Sequence, residues 1–329
     1  MPNKYEVRLV SERQHNSQIM AGFYQLGQDG YDVKIRDMRG NAAECPYIKT
    51  AYVEVIVNGE KTLVYDTLDG YQFPEAMKYY LDKCDFYFKR SFSAEENARI
   101  FDTDAEKIYP LGFNYLVSFR GNPLEEGTAK KLLKMAAGRK TMSYFTSEKF
   151  ECEPVYTNAP KIIFCTRLWE GKEINSMRIE LIRRLRDKYG DRFFGGLTDN
   201  EIARQLAPDL ILPKKYTVRE AYLKKMQESD ICIATTGLFD SIGWKTAEYV
   251  AAAKGIVSEK LSYQVTGDFK KDVNYLEFET VEQCLGAVDK LAEDPDRLYT
   301  MRQANAEYYK KYLQPKQLIL NSLKTAGIE

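Results

Sequence analysis

The sequence holds one histidine, His15, in 329 residues, which leaves no room for a multi-histidine metal centre. Its six cysteines, Cys45, Cys84, Cys152, Cys165, Cys232 and Cys284, form no C-x-x-C pair. With no histidine beside them they make no zinc pattern and read as reduced thiols, Cys165 and Cys232 within predicted buried strands. Neither sign of charge prevails, since Lys and Arg number 48 and Asp and Glu number 48. That balance marks no nucleic-acid surface, so function must rest on a specific site. No apolar run approaches the ~18 residues of a spanning helix, and the opening MPNKYEVRLVSE has no apolar h-region. The expectation is a chain that neither spans a membrane nor is secreted through a cleaved signal. No glycine-rich fingerprint follows the first predicted strand, which disfavours a dinucleotide-dependent oxidoreductase.

The length suits about two domains of ordinary size. Residues 230–260 carry the most information. Ile231, Cys232, Ile233 and Ala234 read as a parallel strand buried on both faces. A loop with Gly237 follows, then a short helix over 244–254, Gly255 at the position of a left-handed C-cap, and a second buried strand over 256–258. This is a βαβ unit. Ligands of open α/β sheets bind beyond the carboxyl ends of strands, which points to residues 235–245, where the helix start offers free N–H groups to an anion. Upstream, residues 161–172 read KIIFCTRLWEGK, a strand followed by Arg167 and, five residues on, Lys172.

Asp240 and Glu248 flank the helix start in the pattern D-S-I-G-W-K-T-A-E. This segment resembles the E-x7-E segment of the retaining glycosyltransferases of family four, the "glycosyl transferases group one" type, and KIIFCTRLWEGK resembles that family's strand and G-R-L-x-x-x-K run. The resemblance covers about residues 160–315 and is weak before them. It implies an α/β protein of GT-B architecture, two Rossmann-like domains facing across a cleft: an acceptor domain over 1–155, and a donor domain over 156–329 whose terminal helix returns to the first. It further implies transfer of a sugar, with retention, from a nucleotide-sugar, UDP- or GDP-linked, to a glycan, lipid-linked or small acceptor, as in polysaccharide biosynthesis, without metal. Arg167 and Lys172 would meet the diphosphate, as would the helix start at Gly243, Trp244 and Lys245. Glu248 would accept from the ribose hydroxyls, and Asp240, where the family usually has Glu, would touch the donor sugar. Tyr216 would stack on the base or pack as a staple, and Gly196 would let the backbone approach a ligand. D-T-D at 102–104 reads as a cap or turn rather than a metal pair, so no metal is expected. An epimerase of the same architecture, or a homologue that binds nucleotide without turnover, are the alternatives.

The amino-terminal half opens as βαβ, with strands over 5–11 and 31–37 and a helix over 17–26. Its first loop holds His15, a ligand-edge position or simply an exposed side chain. Runs 52–57 and 61–66 make a hairpin through Asn58-Gly59. Asp66 and Asp69 follow it, poised for an acceptor hydroxyl or forming Asx-turns. Lys89 and Arg90 end the next strand, facing an anion or solvent. Residues 128–149 are basic with interleaved apolar positions and read either as a membrane-surface helix or as a solvated helix with one stripe. The first reading would place a cytoplasmic protein at the inner face of the plasma membrane.

Overall fold

The computed structural model describes residues 2–125, 133, 136–137, 145–171 and 174–329. Most of the basic stretch 128–149, and Lys172, lie outside the described residues.

The first unit contains β1 (Lys4–Leu9), α1 (Ser17–Gln28), β2 (Asp32–Asp37), β3 (Tyr52–Val57), β4 (Lys61–Asp66), α2 (Pro74–Leu81), β5 (Phe86–Lys89), α3 (Ala94–Phe101) and β6 (Ile108–Pro110). They form one sheet in the order β2-β1-β3-β4-β5-β6, parallel except where β3 runs antiparallel to β1 and β4. The period of two along each strand sorts the side chains between two cores. Tyr5, Val7, Val53, Leu63, Tyr65 and Phe88 pack toward α1, while Tyr52, Val64 and Tyr87 pack toward α2.

The second unit contains β7 (Ile162–Thr166), α4 (Ile174–Tyr189), β8 (Phe193–Leu197), α5 (Glu201–Leu206), α6 (Lys214–Thr217), α7 (Arg219–Gln227), β9 (Ile231–Ala234), α8 (Trp244–Ala251), β10 (Gly255–Glu259), β11 (Leu276–Phe278), α9 (Val281–Ala292), α10 (Pro295–Tyr308) and α11 (Pro315–Thr325). Its sheet is wholly parallel in the order β11-β10-β9-β7-β8. Counted within the unit this is the doubly wound order 2-1-3-4-5, whose strand order reverses between β7 and β9. Chains leave those two strands in opposite directions, so a crevice opens at their carboxyl ends.

Several local expectations are corrected. Gly255 is no C-cap: it starts β10, and the left-handed residue is Ala253 at φ 50°. Gly255 instead allows a close approach: a Cβ there would sit 2.3 Å from Leu298 Cδ1, so a larger residue would have to displace that leucine. Thr217, with Glu220 three residues on, spells a capping box in the sequence, yet it does not cap the following helix. The helical stretch breaks at Val218, which precedes α7 without a side-chain cap, and the Thr217 hydroxyl donates to the Lys214 carbonyl instead. A proline after a helical run usually marks its end, and residues 295–313 read as the last helix on that ground; Pro315 instead opens a further helix, as its fixed φ suits the first helical position.

That last helix, α11, lies against α1, and Gly22 is the point of contact: a Cβ there would be 2.4 Å from the Pro315 carbonyl oxygen. The apolar core under α1 continues into the second unit through Ile163, Cys165, Cys232 and Ile256. The carboxyl edges of the two sheets meet directly, with Gln264 N–H donating to the Phe92 carbonyl at 2.9 Å across the joint. Two Rossmann-like α/β units facing edge to edge constitute the GT-B architecture.

Candidate functional site

The crevice between the ends of β7 and β9 is floored by the start of α8. Arg178, on the buried face of α4, ties its two rims together, donating to the Arg167 carbonyl at 2.7 Å and the Thr236 carbonyl at 2.9 Å. Burial pushes its guanidinium below the ordinary arginine range, against the nearby Glu259 carboxylate. Glu259 in turn accepts from the backbone N–H and the hydroxyl of Thr236. The loop that follows is tight. Gly237 N–H donates to the Ser241 carbonyl at 2.8 Å, and Phe239 and Asp240 both stand in the left-handed region, at φ 56° and 55°. A bulky residue held there is strained, and such strain is found at ligand-contacting turns. The Tyr263 hydroxyl holds this loop through the Phe239 carbonyl at 3.0 Å.

The sequence-derived residues divide into those that gather here and those that do not. Asp240 is exposed at the tip of the strained loop. Arg167 is also exposed. Its guanidinium lies 5.0 Å from the Trp169 ring centroid and has no ion pair among the described residues. Lys245 is turned inward, its ammonium donating to the Cys165 carbonyl and lying 5.5 Å from the Tyr222 ring; burial pushes it below the ordinary lysine range. Glu248 is 1% exposed, and Arg219 grips both its carboxylate oxygens, at 2.6 and 3.1 Å. In this arrangement the Glu248 carboxylate presents no free edge to a ribose. Burial alone would lower the Arg219 pKa, and the facing Glu248 charge reverses that to a net rise.

Gly196 lies inside β8, not at a loop. The space beside it is filled by the Leu210 carbonyl, 2.6 Å from where a Cβ would be, and by Leu212, so the close approach it permits is to its own chain. Tyr216 sits on α6 with its ring edge-on to Phe194 of β8 at 5.6 Å.

Across the joint, Asp66 and Lys89 are fully buried and joined at 2.9 Å. Tyr87 and the Leu68 N–H complete the carboxylate, while the Gly70 carbonyl takes a second bond from the ammonium. Of the two readings of Asp66 the Asx-turn fits, since the Leu68 N–H donates to its carboxylate at 2.9 Å, and Lys89 faces neither a ligand anion nor solvent: both groups are satisfied by the first unit itself. Asp69, Arg90 and His15 behave differently. Arg90 pairs with Asp69 at 2.8 Å and donates to the Ile242 carbonyl at 2.6 Å, reaching the segment just before α8. The His15 ring lies 4.6 Å from that of Trp244. Burial, then the Arg90 charge, holds the imidazole down at about 4 against the pull of Asp69, so it is neutral at pH 7.

Arg178 and Arg219 were not legible as site residues. Arg178 carried one usable signal, a cation on the inward stripe of α4 beside Leu181 and Ile182. Arg219 had none, since 29 residues separate it from Glu248. Among the described residues no group of three or more His, Cys, Asp or Glu side chains could hold a metal ion.

No protein-family model matches the chain, and no curated protein matches it. Solved structures do. The Anabaena protein HepE, solved with UDP and glucose, is 12% identical over 97% of this chain and 98% of its own, with a TM-score of 0.45. The C-terminal domain of the group 1 glycosyl transferase LpcC from Francisella tularensis is 15% identical over 50% of this chain and 96% of its own, at 0.38. A structure of accessory secretory protein 1, 2 and 3 from Streptococcus pneumoniae is 9% identical over 93% of this chain and 56% of its own, at 0.48. At these scores the likenesses assign neither a family nor a ligand.

Proposed function

We propose that this chain is a glycosyltransferase that takes a sugar from a nucleotide-sugar donor, UDP- or GDP-linked, to a hydroxyl acceptor with retention. The observation that carries the reading is the position of the α8 start at the β7/β9 switch point, facing the carboxyl edge of a second Rossmann-like sheet. In this reading the departing diphosphate lies over the N–H groups of Gly243, Trp244 and Lys245, with the exposed Arg167 guanidinium clamping its oxygens. Neutralising that leaving group is the main electrostatic task of the reaction, and a fixed dipole with one arginine is suited to it. Lys172, which follows in sequence, is assigned the second cation. Asp240 takes hydroxyls of the sugar, and His15, neutral at pH 7, stands with Asp69 on the acceptor side.

Glu248 gives a specific reason to keep a second reading. Its carboxylate is closed off by Arg219, and a ribose would have to displace the guanidinium. A homologue that binds a nucleotide weakly and turns nothing over would tolerate such a pair.

Thermal unfolding with UDP, GDP, ADP, dTDP and CMP, on the wild type and Arg167→Ala, separates the readings. Saturation at about 100 times Kd stabilises a protein by about 2.7 kcal/mol. One nucleotide should raise the wild-type midpoint, less so in Arg167→Ala, and its sugar conjugate should release that nucleotide when incubated with enzyme and a panel of glycan and small hydroxyl acceptors that take the sugar. Stabilisation without release would move the conclusion to the second reading. No stabilisation by any of the five would remove the donor site.

A further inference from the structure

A cavity of about 860 Å³ opens at the joint, away from the β7/β9 crevice. The end of β5 and β6, the segment after β10, the turn between α10 and α11, and α11 itself wall it. Its volume is within the range of small-molecule sites, ~300–1,000 Å³. Phe88, Leu111 and Leu318 lie beneath it, almost wholly covered, and the half-buried Val265 and Tyr312 present the accessible apolar surface. Lys310, Lys311 and Lys324 stand around it, and no carboxylate is among the lining residues. Lys311 pairs with Glu307 at 3.1 Å and Lys310 approaches Glu153 at 4.0 Å, both exposed and therefore weak pairs. Lys324 has no ion pair among the described residues.

The walls are fitted closely, which distinguishes this cavity from a loose surface fold. Gly112 and Gly267 both stand at positive φ, 98° and 73°. A Cβ on the first would meet the Thr266 hydroxyl oxygen at 2.6 Å, and on the second the Tyr312 ring at 2.5 Å. Tyr308 further fixes this wall by donating to the Thr266 carbonyl.

We infer that this cavity is a second ligand site, for a small organic anion whose apolar or ring-shaped body rests on Val265 and Tyr312 while its charge meets Lys324 and the neighbouring lysines. Phosphorylated and carboxylated sugars share that chemistry. The site is wired to the proposed donor loop. The segment that lines it continues backward through Gln264, which pairs with Phe92, to Tyr263, whose hydroxyl holds the Phe239 carbonyl. On the other wall, Phe88 stands two residues before Arg90, which holds Ile242. An occupant therefore braces the two contacts that shape the start of α8.

Isothermal titration of the full chain with glucose 6-phosphate, glucuronate and glucose tests this, with Lys324→Glu and the cavity-filling Thr325→Trp alongside, and with UDP and GDP as separate titrants. One or both anions should bind, glucose should not, and raising salt should weaken the anions by screening. Lys324→Glu and Thr325→Trp should each weaken the anion by about tenfold or more, equal to about 1.4 kcal/mol, and leave any nucleotide affinity within about twofold. Preference between the two anions identifies phosphate or carboxylate as the charge. The inference is overturned if neither anion binds, if glucose binds equally well, or if anion binding survives both variants and is lost in Arg167→Ala, which would place it at the donor crevice. Because the nucleotide titrations are independent, the site can stand if the donor assignment fails, and the reverse.

Discussion

Two residues decide how the crevice is read. Glu248 is buried and gripped by Arg219 at 2.6 and 3.1 Å, so removing either partner strands a charge. Arg219→Met should cost about 3 kcal/mol, the low end of the range for breaking a buried pair, because the Arg219 side chain keeps 22% of its surface exposed. Adding Glu248→Gln to it should recover most of that loss in urea unfolding, since a neutral amide is far cheaper to leave unpaired. Simple additivity of the two substitutions would show that the pair contributes nothing. His15 supplies the pH dependence. Its usual value of 6.5 is lowered to about 4 in the folded protein, so below pH 6.5 the unfolded chain binds a proton that the folded one refuses. Stability from this group is therefore complete above about pH 6.5, falls as pH drops toward 4, and levels off below it. The midpoint of His15→Gln measured over the same span should fall less steeply than that of the wild type; parallel curves would mean the imidazole is solvated.

At the scale of elements, apolar runs were readable and interruptions were not. The sequences at β7, β9 and β10 are short runs buried on both faces, and the hairpin of β3 and β4 follows from Asn58-Gly59, with φ 57° and 77° at its turn. Gly255 misled because a glycine after a helix has two physical causes, a left-handed cap or a close neighbour, and only the second, Leu298, operates here. The break between α6 and α7 was likewise invisible: Thr217 and Glu220 spell a capping box, yet the helix restarts at Arg219, whose guanidinium reaches Glu248. The loop ahead of α8 carries its own prediction. Phe239 is 54% exposed and left-handed, so Phe239→Gly forfeits little burial and relieves about 1 kcal/mol of backbone strain. We expect a small gain in stability by chemical denaturation together with slower turnover, as a looser loop holds Asp240 less well. A loss of stability would show that the Phe239 ring packs more than it strains.

At the scale of the molecule, the second unit was more legible than the joint. Its strands and helix start are local in sequence, whereas contacts such as His15 with Trp244 and Arg90 with the Ile242 carbonyl link residues that no periodicity relates. Arg90 is the test of how the two sheets are held edge to edge. Its side chain is 4% exposed, it neutralises Asp69, and it donates across the joint to the residue two before Trp244. Arg90→Met keeps much of the apolar volume while removing both interactions. The sequence has two tryptophans, so in a Trp169→Phe background emission reports Trp244 alone, whose indole is partly covered by His15. Opening of the joint should shift that emission to the red and increase acrylamide quenching, while far-UV circular dichroism stays unchanged because each sheet keeps its own core. Unchanged emission would mean that the core continuous from α1 to β10, rather than Arg90, sets the approach of the two units.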